Sequence, residues 1–420
     1  MRNQELKQKL WNLVEERKDE LLAICADLIK IPSVTPQQCE SIVDFVTAYL
    51  SDAGISYQVV RGPDETPSIL AQVGNGGKTA IINGHNDVVP VGELNRWDFS
   101  PYCGTITDRQ ILGRGTSDMK CGVGIGLFLA KLIQQEKLGF SGTLKLQIVH
   151  DEESGGEKGS MWLIENGYAD GADFVLIPEP TSYNNVEVGQ KGSMRIRITT
   201  TGTPVNGSII NYVGENAVHK MVKILDRMGE LAQLEGTWYP NQEQVLRDSK
   251  DVIRDSFGVE GVEDAIDHVN VNIMWVDGGL SGTMTPEVCQ AMVATLVPVG
   301  ISTQAVKDKI DQIIAEEGMR GVTVEYPRCK DGACTDVDTD LVRSAVDNAQ
   351  VVWGRKVVPA YQWATSDAKF FRYRGIPTIQ YGPANTEGIH AYNENVDIED
   401  VVNCAKTYMG ILEDLIGFDF

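Results

Sequence analysis

His85 and Asp87 stand two residues apart where an apolar run ends, in IINGHNDVVP (81–90). In an extended chain, residues i and i+2 face the same way. The carboxylate can then hold one ring nitrogen of the imidazole and leave the other for a metal ion, a pairing common beside bound metals. Four further segments put ligand-type side chains where apolar runs end or loops begin. GRGTSDMKCG places Asp118 in a Gly-rich loop, and HDEESGGEKGS places Glu152 and Glu153 just after LKLQIV. IPEPT places Glu179 after FVLI, and IQYGPANTEGIHAYNE places His390 beyond a short apolar run. Imidazoles and carboxylates together suit Zn²⁺, with Co²⁺ or Mn²⁺ as substitutes. The chemistry of such a set is hydrolysis: the ions acidify a water and polarise a carbonyl, and a carboxylate that binds no ion moves the proton.

These residues are useful only if the fold gathers them. Strand-like runs at 56–60, 68–73, 79–83, 142–149 and 174–178 alternate with helical patterns at 38–53 and from about 120, after an amphipathic helix pattern at the N-terminus. That alternation predicts an α/β domain with a mainly parallel central sheet. In such a sheet, loops at the carboxyl ends of the strands converge on one crevice. After Gly192 the pattern changes. Strands at 194–200, 269–275, 287–297 and 322–326, with helices at 215–231 and 304–317, follow a split β-α-β order. A helix at 341–354 and a strand at 378–381 return to the first pattern. The prediction is a catalytic domain of residues 1–191 and 328–420, with an α+β sandwich inserted at 192–327.

The chain has 420 residues, which favours two domains, and 42% hydrophobic residues, a globular composition. With 37 basic and 59 acidic residues the net charge is −22, which argues against nucleic acid and anionic membrane surfaces as partners. No run of about 18 apolar residues is present, and the N-terminus has no apolar signal core. The eight cysteines form no CxxC pair, and Cys329 and Cys334 alone make a weak zinc-site signal. A cytoplasmic protein with reduced thiols is expected.

GHNDVVP, W-x-F-x-P, GRGTSDMK, DEESGG, EPT and YGP…IHAYNENV together resemble the zinc-dependent acetylornithine deacetylase, succinyl-diaminopimelate desuccinylase, aminoacylase and glutamate carboxypeptidase family. DLIKIPSV and ATSDAKFFRYRGIPTIQYGP match it as well, so the resemblance spans almost the whole chain. It implies a zinc-peptidase catalytic domain and two Zn²⁺ ions per subunit. Asp118 would bridge them, His85 and Glu179 would complete one, and Glu153 and His390 the other. Asp87 would orient His85, and Glu152 would be the general base. The inserted domain would be a lid that makes a homodimer. The substrate would be a small-molecule amide or peptide, with Gly382 of the YGP motif among the substrate-binding residues.

Three lid positions depart from the family. Asn206, in GTPVNGSIINYVGENAV, stands where a His usually reaches the partner subunit's site to stabilise the oxyanion. Thr283 stands for an Asn that precedes a Pro, and Thr295 for an Arg that grips a substrate carboxylate. Asn206 can be an engineered knockout, a natural divergence in which the amide donates instead, or the mark of a descendant that holds metal and binds without turnover. A single engineered change leaves Thr283 and Thr295 unexplained. All the metal positions and Glu152 are present, which favours an N-acyl amino acid or amine deacylase, or a small peptidase. Loss of the Arg at 295 predicts a preference for substrates without a free α-carboxylate.

Overall fold

The computed structural model describes residues 4–34, 39–181, 183–236, 243–279 and 282–419. Its largest sheet has nine strands. At its centre, Thr79–His85 lies parallel to both Thr143–Val149 and Phe174–Pro180, and Phe174–Pro180 lies parallel to Thr378–Gly382. The flanks are antiparallel: Pro67–Gly74 pairs with Thr143–Val149 and with Ser56–Arg61, and Asn185–Gln190 pairs with Ala333–Cys334. The sheet is therefore mixed, with the expected parallel strands confined mostly to its middle. The central strands are apolar on both faces, as strands covered on both sides must be: Ile81, Val175 and Leu176 are fully buried.

Helix Cys121–Glu136 packs against these strands through its glycines. A Cβ on Gly122 would lie 2.3 Å from the Pro178 carbonyl oxygen, so only glycine permits this approach. The contact brings the loop carrying Asp118 against the strand carrying Glu179. The N-terminal amphipathic pattern forms two helices, Gln4–Glu16 and Lys18–Ile29, rather than one. The break is at Arg17, whose guanidinium pairs with Glu20 and Glu136.

A second sheet has four antiparallel strands in the order Asn270–Gly278, Val288–Val297, Gly192–Thr201, Val322–Lys330. Helices Ala217–Arg227 and Thr303–Glu316 pack on one face of it. Met194, Ile196, Ile198, Met221, Val293 and Ile310 form their shared core, separate from that of the large sheet. Helix Glu243–Phe257 lies between these strands in sequence but not in packing. Its Val245 and Ile253 join the core of the large sheet. Ser249 Oγ accepts from the Tyr361 N–H at 2.7 Å, fixing this helix on the strand Val358–Gln362.

Candidate active site

His85 ends a central strand, Glu152 and Glu153 follow the next, and Glu179 lies near the end of a third. Asp118 precedes the Gly-rich helix, and His390 lies in the loop after Thr378–Gly382. All six meet at the carboxyl ends of the parallel strands, as this topology dictates. Asp118 lies between the two imidazoles. Its Oδ1 is 3.1 Å from His85 Nε2 and its Oδ2 is 3.1 Å from His390 Nε2. Glu179 Oε1 is 3.7 Å from His85 Nε2, and Glu153 Oε1 is 3.1 Å from His390 Nε2. Ligand atoms converge within 4.8 Å in two groups: His85, Glu152 and Glu179, and Asp118, Glu153 and His390.

The electrostatics follow from burying four carboxyls beside two imidazoles. Burial, then the charge of Asp118, pushes the Glu179 carboxyl up to about 8. Burial and Glu179 hold Glu152 well above the usual carboxylate range. Asp118 goes the other way: burial opposes its charge, but hydrogen bonds from His390 and His85 outweigh it and lower its pKa. His390, bonded to Asp118 and Glu153, is raised to about 10. A cluster that sets burial against ionisation in this way is a usual mark of a functional site.

Asp87 meets His85 through both its backbone carbonyl and its carboxylate. His85 Nδ1 faces the Asp87 backbone carbonyl at 2.9 Å, with the carboxylate farther off at 3.4 Å. When the ring is neutral, as a metal ligand must be, this contact keeps its proton on Nδ1 and leaves the Nε2 lone pair facing the site. The Asp87 carboxylate also accepts from the N–H of Glu152 at 3.3 Å and of Glu153 at 3.1 Å. It fixes the turn that carries both glutamates.

The sequence reading did not single out Glu394. Its Oε1 accepts from the backbone N–H of Gly115, Ser117 and Asp118, at 3.1, 3.0 and 3.2 Å, and its Oε2 pairs with buried Arg114. The signal available was its place four residues after His390, in the same matched motif. Arg195 and Arg328 were missed as well. Both line a cavity of about 460 Å³ together with Asp118, Glu152, Glu153 and His390.

The lid candidates lie elsewhere. Asn206 is exposed, and its Oδ1 accepts from the Ser208 N–H and hydroxyl. Thr283 is exposed beside it, its carbonyl accepting from the Gly207 N–H. Thr295 is 1% exposed and is the Cα partner of Met194. It therefore faces the small-sheet core. Gly382 is a close-packing position: a Cβ there would lie 2.3 Å from the Pro178 oxygen and 2.5 Å from that of Glu179. None of these four is among the described residues lining the cavity.

Among the described residues, no helix is long and apolar enough to cross a membrane. Residues 81–414 match the model of Peptidase family M20/M25/M40. A succinyl-diaminopimelate desuccinylase of Ehrlichia canis is 28% identical over 92% of this chain and 96% of its own length. An M20 family metallo-carboxypeptidase from Sulfolobus solfataricus superposes with a TM-score of 0.79 at 19% identity, over 94% of this chain and 99% of that one. Human carnosine dipeptidase 1 gives 0.77 at 17% identity, over 98% of each. This chain belongs to Peptidase family M20/M25/M40, metal-dependent hydrolases of amide bonds.

Proposed function

We propose that the protein is an N-acyl amino acid deacylase or small peptidase that uses two divalent ions per subunit and Glu152 as its general base. The observation that carries this reading is the position of Asp118 midway between His85 and His390, 3.1 Å from each ring. Buried carboxylates crowded around two imidazoles fit a pair of divalent cations, since a cluster of that charge needs compensation. His85, Asp118 and Glu179 would hold one ion, and Asp118, Glu153 and His390 the other. Zn²⁺ suits this donor set, with Co²⁺ or Mn²⁺ as substitutes. When bound, the ions supply an acidified water and a polarised scissile carbonyl.

The chain's own residues do the rest. Glu152 takes a proton on its carboxylate from the attacking water and delivers it to the leaving nitrogen. Burial and the neighbouring Glu179 raise its pKa above the usual carboxylate range, the direction that favours holding the proton between the two transfers. Asp87 holds the backbone from which Glu152 and Glu153 project. Thr295 and Gly382 act through packing, as their burial indicates.

In the same reading, residues 192–327 supply a lid and a homodimer interface, with helix Glu243–Phe257 packed back on the large sheet. The edge strand Asn270–Gly278 supports this: Ile273, Met274, Trp275 and Val276 are all at least 40% exposed on an unpaired sheet edge, a surface suited to a second copy. Asn206, outside the cavity of its own subunit, would donate its amide across that dimer, with Thr283 in the same turn. In the same reading the protein is cytoplasmic and its cysteines are reduced thiols.

The test is a screen of N-acyl amino acids, dipeptides and neutral amides with protein loaded with Zn²⁺ or Co²⁺. Turnover of one class, lost on chelation and in Glu152→Gln, is the expected result. Loaded protein that cleaves none of the three overturns the reading.

A further inference from the structure

Strand Gly192–Thr201 alternates between two environments. Met194, Ile196 and Ile198 are fully buried in the small-sheet core. Ser193 and Arg195 point from the other face into the cavity that holds Asp118 and Glu152. Across the antiparallel pair, the Cα partner of Arg195 is Arg328, so two guanidinium groups ride side by side on one face. Like charges placed directly opposite on a sheet repel, and their arrangement here is unequal. Arg328 is committed: its Nε is 3.2 Å from Glu157 Oε1 and its Nη2 donates to the Ser154 carbonyl at 2.6 Å. Lys369, another cation lining the cavity, donates to the Ser366 carbonyl at 2.7 Å. His390 is held by Asp118 and Glu153. Arg195 alone of these four has no side-chain hydrogen bond or ion pair with any described residue. Burial and the neighbouring Arg328 both work against its charge, yet a guanidinium stays protonated at any ordinary pH.

The register also explains why this role cannot fall to position 295. Thr295 is the partner of Met194, and Ala294 the partner of Arg195. Cross-strand partners share a face. An arginine at 295 would therefore enter the small-sheet core, whereas Arg195 opens on the cavity.

We propose that Arg195 is a specificity-determining residue that grips a carboxylate of the substrate, distinct from the scissile amide. This deepens the hydrolase reading and rests on it for the identity of the scissile bond. It replaces the expectation, drawn from Thr295, of substrates lacking a free carboxylate. A planar guanidinium with unused donors in a partly dry cavity matches a carboxylate in two-point geometry. The carboxylate has two sources: the α-carboxylate of the leaving amino acid, or a terminal carboxylate on the acyl group.

The experiment compares metal-loaded wild type, Arg195→Gln, Arg195→Lys and a control, Arg197→Gln. Arg197 lies on the exposed part of the same strand, 3.7 Å from Glu325. Two substrate pairs separate the sources: N-succinyl against N-acetyl, and α-carboxylate against α-carboxamide. In wild type the carboxylate member of at least one pair is preferred. In Arg195→Gln that preference in kcat/KM falls by about 10- to 100-fold, mainly through KM, the size expected for hydrogen bonds between charged groups. Arg195→Lys recovers part of it, and Arg197→Gln leaves it as in wild type. Calorimetric titration with succinate gives a readout independent of turnover: binding weakens in Arg195→Gln and not in Arg197→Gln. If no substrate is cleaved but succinate binding depends on Arg195, the hydrolase reading fails and the anion site stands. If wild type cleaves and both preference ratios and succinate affinity are unchanged in Arg195→Gln, the proposal is overturned.

Discussion

Glu394 receives the backbone N–H of Asp118 at 3.2 Å, across 276 residues of chain. The same oxygen takes the N–H groups of Gly115 and Ser117, and the other carboxylate oxygen pairs with buried Arg114. The loop that aims Asp118 at two imidazoles is thus fixed from below by one side chain. Glu394→Ala should cost about 3–5 kcal/mol, because Arg114 would be left as a buried unpaired charge. Glu394→Gln should keep the fold but weaken divalent-ion binding by about 10- to 100-fold, the usual effect of losing support behind a ligand. Denaturant midpoints and zinc titrations measure the two effects. Unchanged zinc affinity in Glu394→Gln would show that the loop holds its shape without this carboxylate.

Chelation should abolish amide hydrolysis and lower the melting temperature together. Zn²⁺ or Co²⁺ should restore both, since binding to the folded form alone stabilises it. Activity that survives exhaustive chelation would defeat the two-ion reading.

Glu152→Gln and Asp118→Ala should separate proton transfer from ion holding. The first should retain bound metal and lose turnover by about 10²–10⁴-fold, the usual contribution of a general base. The second should lose metal. Metal content by elemental analysis decides it, and equal metal loss in both variants would refute the division of roles. The pairing of Glu152 with His85 and Glu179 in one ligand group makes this the sharper test.

The chelated protein should lose stability as pH rises from about 5 to 9. Glu179 is raised to about 8, above its ordinary 4.5, so the folded state binds an extra proton in that interval. That stabilisation is complete below pH 4.5 and is lost as pH rises through about 8. His390, raised to about 10 from 6.5, acts in the same sense: its contribution is complete below 6.5 and lost through about 10. Melting temperature against pH under chelation measures the sum. A rise across this range would contradict the sign.

Asn206→His should raise kcat little, well short of the about 10²–10³-fold expected for restoring one oxyanion donor. Asn206 Oδ1 caps its own turn by accepting from Ser208, a role that short polar acceptors fill well and imidazole fills poorly. A gain of the full size would instead mark Asn206 as a knockout in an otherwise ordinary lid.

The donors and their order were legible in the sequence because the signals are local. An apolar run that ends in His, Asp or Glu announces a strand end, and strand ends in this class of sheet share one crevice. His85, Glu152, Glu153 and Glu179 follow such runs, Asp118 and His390 stand in loops, and the family resemblance implied the role of each. The split β-α-β order of the second sheet was legible from the change of period after Gly192. Helix Glu243–Phe257 was not, because nothing in its own residues says that Val245 and Ile253 pack on a distant sheet. The exact position of Asp118 between two rings, and its support by Glu394, depend on pairings between segments far apart in the chain. Arg195 and Thr295 make the same point. Period 2 says that neighbours on a strand face opposite ways. Which face meets the catalytic cavity and which the lid core was decided only when the two sheets packed, because that choice is set by long-range burial and not by the strand's own sequence.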